Sequence, residues 1–160
     1  MKKIFVATLL VLTFQIGIFA QAELKVGDVA PDFTLTTITG ETVSLKELIN
    51  DKPVVLNFWA TWCPPCVAEM PDLQKFADKN SSKVQVVGIN AGEDLATVQG
   101  FIKTHKYKFP ILCDLSGKVA TNYKIYAIPQ TFLIGQDGKI KAHRIGGMRE
   151  KDFEKLLVVK

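Results

Sequence analysis

The sequence predicts an α/β domain built on a central mixed β-sheet. Short apolar runs, typical of strands buried on both faces, alternate with segments whose apolar residues recur at the helical period of about 3.6 residues. Near the C-terminus, Thr131–Ile134 and Ile140–Arg144 form two strand-like segments linked by a turn at Gln136-Asp137-Gly138. This closing antiparallel hairpin makes the predicted sheet mixed.

The N-terminal segment has the three parts of a secretory signal peptide. Lys2 and Lys3 give a positively charged start, and an apolar stretch follows over residues 4–20. Ala20-Gln21-Ala22 then supplies the small residues that a signal peptidase needs. We therefore predict a signal peptide at residues 1–22.

Removal of the signal peptide would leave one domain at residues 23–160. Its predicted location is periplasmic or otherwise extracytoplasmic, as a soluble protein. The alternative is an uncleaved anchor, because the apolar stretch is near the lower limit of about 17 residues for a membrane span.

The first elements of the domain are predicted from turn and cap signals. Phe33–Thr36 and Thr42–Val43 are short alternating segments joined through Thr39-Gly40, which indicates a hairpin. Ser44-Leu45-Lys46-Glu47 has the form of a capping box, so a short helix should begin there. Val54–Trp59 is a nearly continuous apolar run of strand length, which predicts a strand buried on both faces.

The remaining elements follow from the same periodicities. They are a helix from about Cys66 to Lys79, a strand at Val84–Asn90, a helix capped by Asp94 and running towards His105, a short apolar run at Phe109–Cys113, a helix at Ser116–Tyr123, and a last helix with Phe153, Leu156 and Leu157 on its apolar face.

Composition excludes several classes of function. The net charge is only +4 and the lysines are scattered, so nucleic-acid binding is not expected. His105 and His143 are far apart and neither has a ligand-like neighbour, so we predict no metal site. We also expect a monomer without a cofactor.

Two of the three cysteines point to chemistry rather than to a structural crosslink. Cys63 and Cys66 are separated by two residues, and a bridge between them would constrain little of the unfolded chain. This spacing favours redox chemistry or metal binding. Cys113 lies in a short apolar run and is interpreted as a buried, inert thiol, the alternative being a third redox cysteine.

The cysteine pair lies where a buried strand passes into a helix. In Trp59-Ala60-Thr61-Trp62-Cys63-Pro64-Pro65-Cys66, the first cysteine falls at the helix N-terminus, where free N–H groups and the helix dipole stabilise a thiolate. Cys66, one turn further, can then attack the Cys63 sulfur and resolve a mixed disulfide. Pro64 and Pro65 are tolerated because N–H groups of the first turn have no intrahelical partner.

Over essentially the whole domain, the sequence resembles the exported TlpA/ResA-like thiol–disulfide oxidoreductases of the thioredoxin superfamily. The features that carry the resemblance are Gly27-Asp28-Val29-Ala30-Pro31-Asp32-Phe33, the Trp62-Cys63-Pro64-Pro65-Cys66 motif, Pro71, the extra strand–helix segment from about Val84 to Leu112, and Ile128-Pro129. The resemblance implies a thioredoxin fold with an N-terminal β-hairpin and an inserted strand–helix segment.

The resemblance also implies roles for single residues. Cys63 would attack the partner disulfide and Cys66 would resolve it. Pro129 matches the cis-proline of the family, which lies against the cysteine pair and helps bind the partner chain. Trp62 and Ile128 are the other predicted contacts with the partner.

Glu69 is the candidate acid–base residue. Related ResA-like proteins carry a glutamate at this position, three residues after the second cysteine. The buried aspartate that thioredoxin proper carries in the preceding strand is replaced here by Asn57. We expect Glu69 to be a partly buried acid that handles protons for Cys66; the alternative is an exposed surface carboxylate.

Two other functions compete with thiol–disulfide exchange. Peroxiredoxins share the N-terminal motif, but they carry a proline seven residues before the reactive cysteine and a threonine or serine three residues before it. In this sequence the corresponding positions before Cys63 hold Leu56 and Ala60. A Cu(I) carrier would also use two thiolates. Copper-delivery relatives of this fold, however, have a longer spacing between the cysteines and a distant histidine.

The direction of electron flow is predicted from the residues between the cysteines. Neither proline offers an N–H to the Cys63 thiolate, and no His or Arg lies between the cysteines, so its pKa should fall only moderately. We therefore expect a reductant of protein disulfides, re-reduced by a membrane transporter of thiol electrons. Its targets could serve cytochrome c maturation or the assembly of a metal site.

Overall fold

A computed structural model of the chain describes residues 23–158. The predicted signal peptide at residues 1–22 lies outside the described residues. The strands are β1 Thr34–Thr37, β2 Thr42–Ser44, β3 Val54–Trp59, β4 Gln85–Ala91, β5 Ile111–Asp114, β6 Gln130–Ile134 and β7 Ile140–Ile145. The helices are α1 Leu45–Asp51, α2 Pro64–Asn80, α3 Leu95–His105, α4 Lys118–Asn122 and α5 Glu150–Leu156.

The strands form one seven-stranded sheet in the order β2-β1-β5-β4-β3-β6-β7. The three central strands, β5, β4 and β3, run parallel to one another. On one side β1 pairs antiparallel with β5 and β2, and on the other side β6 pairs antiparallel with β3 and β7. This mixed sheet confirms the predicted α/β class, including the N-terminal hairpin and the closing hairpin.

Helices cover both faces of the sheet. One core cluster packs α2, α3 and α5 against the sheet, and a second packs α1 and α4 against the other face. All six residues of β3 are buried, as the continuous apolar run predicted. Val55 and Trp59 belong to the first cluster, and Leu56 and Phe58 to the second, because successive side chains of a strand point to opposite faces.

Two helix starts are set by the caps that the sequence predicted. Ser44 Oγ accepts the N–H of Glu47, whose carboxylate accepts the N–H of Ser44 in return, so the capping box of α1 is complete. Asp94 accepts the N–H of Thr97 at 3.0 Å and caps α3.

Three elements begin two residues away from the predicted start, and the other strands differ by no more than one residue at either end. α2 begins at Pro64 rather than near Cys66, because both prolines fit the first turn. β5 covers Ile111–Asp114 rather than Phe109–Cys113, since Pro110 has no N–H for a sheet ladder. α4 is shorter than predicted because Gly117, with φ of 66°, is its N-cap.

The helix that carries the cysteines is held at its far end by α5. The rings of Phe76 and Phe153 stack with their centroids 5.6 Å apart. Nearby, Glu154 accepts a hydrogen bond from Asn80 and forms an ion pair with Lys79. Within residues 23–158, each helix is too short or too polar to cross a lipid bilayer.

Candidate active site

The two cysteines lie at the junction of β3 and α2, near the middle of the sheet. Cys63 is the N-cap of α2, and Cys66 lies in its first turn. Their sulfur atoms are joined in a disulfide, with the Cα atoms 5.3 Å apart. The strand-to-helix geometry predicted for the motif is therefore present.

The environment of the two sulfurs is asymmetric. Cys63 is 3% exposed and borders a groove, whereas Cys66 is completely buried. Cys63 Sγ lies 3.6 Å from the carbonyl oxygen of Ile128 and accepts the N–H of Cys66 at 3.3 Å. The prolines therefore do not deprive Cys63 of a donor, because the N–H of Cys66 reaches it from inside the helix.

The groove beside Cys63 is mainly apolar and has a volume of about 500 Å³. Its walls are formed by Trp62, Cys63, Pro64, Pro65, Ala91, Ala120, Ile125, Tyr126, Ala127 and Ile128. Trp62 is 68% exposed, so a large aromatic surface is open to a partner at the edge of the groove.

The predicted partner-binding residues lie together at this groove. Trp62 and Ile128 line it, and Pro129 follows directly as a buried residue. The Ile128–Pro129 peptide bond is cis, as the resemblance implied.

Glu69 lies in the protein interior, one turn beyond Cys66 on the same helix. It is 2% exposed, which excludes the alternative of a surface carboxylate. Its two oxygens accept hydrogen bonds from Asn57 Nδ2 and from the N–H of Met148, both at 2.8 Å. Burial raises its pKa to about 7, although both hydrogen bonds favour the charged form.

The polar group around Glu69 includes residues that sequence reasoning did not identify. Asn57 donates a second hydrogen bond, to Thr131 Oγ1 at 3.0 Å, while its own Oδ1 receives no hydrogen bond from the described residues. Thr131 gave a weak signal as a polar residue in an apolar strand. Met148 gave none, because it acts through its backbone N–H.

The residues interpreted as non-functional lie outside this group. Cys113 is a free, buried thiol in β5, and burial raises its pKa, as expected of an unreactive cysteine. His143 stacks on Phe132, and burial lowers its pKa. Within residues 23–158, no cluster of three or more His, Cys, Asp or Glu side chains is placed to hold a metal ion.

Comparison with known proteins agrees with this geometry. Residues 26–143 match the AhpC/TSA family. The chain is 36% identical over 140 residues to thiol-disulfide oxidoreductase ResA of Bacillus cereus, covering 86% of this chain and 80% of that protein. It is also 36% identical to sporulation thiol-disulfide oxidoreductase A of Bacillus subtilis, covering 84% of this chain and 83% of the relative.

Solved structures show the same fold. StoA from Bacillus subtilis superimposes with a TM-score of 0.71 at 34% identity, over 81% of this chain and 98% of that structure. A putative thiol:disulfide interchange protein DsbE from Chlorobium tepidum gives a TM-score of 0.78 at 29% identity, over 85% of this chain and 97% of the other. The fold is thus the thioredoxin fold, and the chain belongs to the AhpC/TSA family of the thioredoxin superfamily as a redox enzyme of the ResA-like thiol–disulfide oxidoreductases.

Proposed function

We propose that the protein acts outside the cytoplasm as a reductant of protein disulfides. The observation that carries this proposal is the asymmetry of the cysteine pair. Cys63 borders an open apolar groove at a helix N-terminus, whereas Cys66 is completely buried in the first turn of that helix. Only Cys63 is placed to meet a disulfide on a second protein.

The exchange proceeds in two balanced steps. The Cys63 thiolate attacks one sulfur of the partner disulfide, and the other partner sulfur leaves as a thiolate. The Cys66 thiolate then attacks the Cys63 sulfur and releases the first partner sulfur. The partner leaves with two thiols and the enzyme retains the Cys63–Cys66 disulfide, the oxidised state that the structure contains.

Glu69 is proposed to accept the proton that Cys66 must lose before the second step. It follows Cys66 by one helical turn, and its pKa of about 7 gives it both protonation states near neutral pH. A carboxylate held in the interior can take the proton where water has no direct access.

The direction of electron flow follows from how weakly Cys63 is activated. The N–H of Cys66 and the N-terminal end of α2 favour the thiolate, and Pro64 and Pro65 add no donor. A thiolate that is stabilised by so few groups leaves the disulfide form comparatively stable, which is the property of a reductant.

The proposed substrates are oxidised cysteine pairs in extracytoplasmic proteins. Apocytochromes c and copper-site proteins are candidates, because their cysteines must be reduced before heme or metal is attached. The groove suits an extended segment with apolar side chains beside its cysteine. Re-reduction of the enzyme requires a dithiol donor, for which we propose a membrane transporter of thiol electrons.

The reduction potential of the Cys63–Cys66 couple tests the proposed direction. Equilibration with thiol buffers and mass spectrometry of the alkylated protein would give it. We expect a value near that of thioredoxin, about −270 mV. A value near that of the strong oxidant DsbA, about −120 mV, would instead identify a disulfide donor.

A further inference from the structure

A second carboxylate, separate from the Glu69 group, contacts the loop that precedes Cys63. Glu93 lies in the turn between β4 and α3. Its Oε2 accepts the N–H of Thr61 at 2.7 Å, and its Oε1 accepts the hydroxyl of Thr61 at 2.5 Å. Both donors belong to a residue that lies just before Trp62 and Cys63 in the sequence.

Glu93 is itself held from the opposite side. Its Oε2 also accepts Asn90 Nδ2 at 2.6 Å, and Asn90 is completely buried in β4. Asn90 is the register partner of Trp59, the last residue of β3. The Glu93 carboxylate therefore connects the segment after β3 to the segment after β4, just beyond the last residue pair of the β3–β4 ladder.

We propose that Glu93 is a positioning residue for the redox centre, which fixes the loop carrying Trp62 and Cys63 to the end of β4 through Thr61. Loops are mobile unless their backbone groups are bound, and hydrogen bonds to a carboxylate are about twice as strong as neutral ones. The bonds from Thr61 hold the segment that presents Trp62 at the edge of the groove. They also fix the approach to Cys63, whose sulfur lies 3.6 Å from the Ile128 carbonyl.

The proposal concerns exchange at Cys63 and does not depend on the direction of electron flow or on the identity of the partner. Two simpler roles for Glu93 make different predictions. A charge effect on the Cys63 thiolate would depend on the negative charge alone. A role in stability alone would lower activity only as far as it lowers the folded fraction.

Four variants separate these roles. Glu93→Asp keeps the charge but shortens the side chain by one methylene, and Glu93→Gln removes the charge but keeps one acceptor oxygen. Thr61→Val removes the hydroxyl donor without touching Glu93. Glu41→Gln, at an exposed position in the β1–β2 turn, is the matched control.

The experiment measures kcat and KM for the reduction of insulin disulfides, the rate with oxidised glutathione as a small disulfide, and the melting temperature. We expect Glu93→Asp and Thr61→Val to lower kcat/KM for insulin by about tenfold, the typical effect of losing a hydrogen bond to a charged group. The loss should appear mainly in KM, with a smaller change for oxidised glutathione, and it should exceed any loss of folded protein that the melting temperature indicates. Glu93→Gln should be intermediate.

Three results would overturn the proposal. The first is a kcat/KM of Glu93→Asp and Thr61→Val equal to that of Glu41→Gln. The second is an effect confined to Glu93→Gln, which would indicate charge alone. The third is a loss of activity that disappears after correction for the folded fraction.

Discussion

Glu69 accepts a hydrogen bond from the backbone N–H of Met148 at 2.8 Å, although the two residues lie 79 positions apart in the sequence. The same carboxylate is bound by Asn57 on the central strand β3. The active-site helix, the middle of the sheet and the loop before α5 are thereby joined at one buried ionisable group. Its protonation should influence both catalysis and stability.

Glu69→Gln should slow thiol–disulfide exchange several-fold without unfolding the protein, because glutamine cannot accept a proton from Cys66. In the wild type, the rate should rise with pH through about 7 as Glu69 ionises, and this step should be missing in the variant. Stopped-flow measurement of insulin reduction from about pH 5 to about pH 9 would check this pH dependence. Glu41→Gln should keep the wild-type profile; identical profiles for Glu69→Gln and wild type would exclude the proposed role.

The stability of the oxidised protein should depend on pH through Glu69. Its pKa in the folded state is about 7, above the ordinary value of 4.5, so its contribution is fully present below 4.5 and is lost as the pH rises through 7. The difference between the two pKa values corresponds to about 3 kcal/mol in the free energy of unfolding. Urea unfolding at acidic and alkaline pH should show the wild type losing this much relative to Glu69→Gln. Parallel pH curves for the two proteins would contradict the prediction.

Cys66→Ser should accumulate a mixed disulfide with a substrate protein, because Cys63 can attack but nothing resolves the product. Cys63→Ser should accumulate none, since Cys66 is completely buried. Non-reducing electrophoresis followed by mass spectrometry would identify the linked cysteine. Cys113→Ser is the matched control and should exchange like the wild type; a linkage through Cys113 would show that this thiol takes part.

Gly88→Ala should destabilise the fold, because a Cβ at this position in β4 would lie 2.7 Å from Ile111 Cδ1 and 3.0 Å from Trp59 Nε1. Overpacking of this kind costs about 1–3 kcal/mol. Gly100→Ala is the control: it lies in α3, where a Cβ would meet no heavy atom of residues 23–158 within 4 Å beyond its own helix and chain neighbours. That change should stabilise the protein by up to about 1 kcal/mol through helix propensity. Urea unfolding compares the two, and equal stabilities would refute the packing argument.

The sequence predicted those parts of the fold that depend on local signals. The capping box at Ser44, the cap at Asp94 and the buried run Val54–Trp59 each act within a few residues, and all three appear in the structure. The motif likewise placed Cys63 at the start of a helix. Boundaries near Pro110 and Gly117 were wrong by two residues, because backbone constraints outweighed the apolar pattern.

The parts of the site that the sequence did not reveal are built from distant residues. Thr131, the N–H of Met148 and the carboxylate of Glu93 contact active-site residues that lie 74, 79 and 32 positions away in the sequence. The periodicity of apolar residues does not predict such contacts, and a hydrogen bond from a backbone N–H does not depend on the residue type. Only the resemblance pointed to Glu69, whose burial follows from packing.

The packing of α5 against α2, through Phe76 and Phe153, has a consequence for the order in which the chain matures. On the ribosome, the cysteine motif emerges well before the residues that complete its surroundings. Until Met148 and α5 have been synthesised, Glu69 and the far end of α2 lack the contacts that hold them in the finished fold. A nascent chain would therefore carry its two cysteines before Glu69 and the far end of α2 have the contacts of the finished fold.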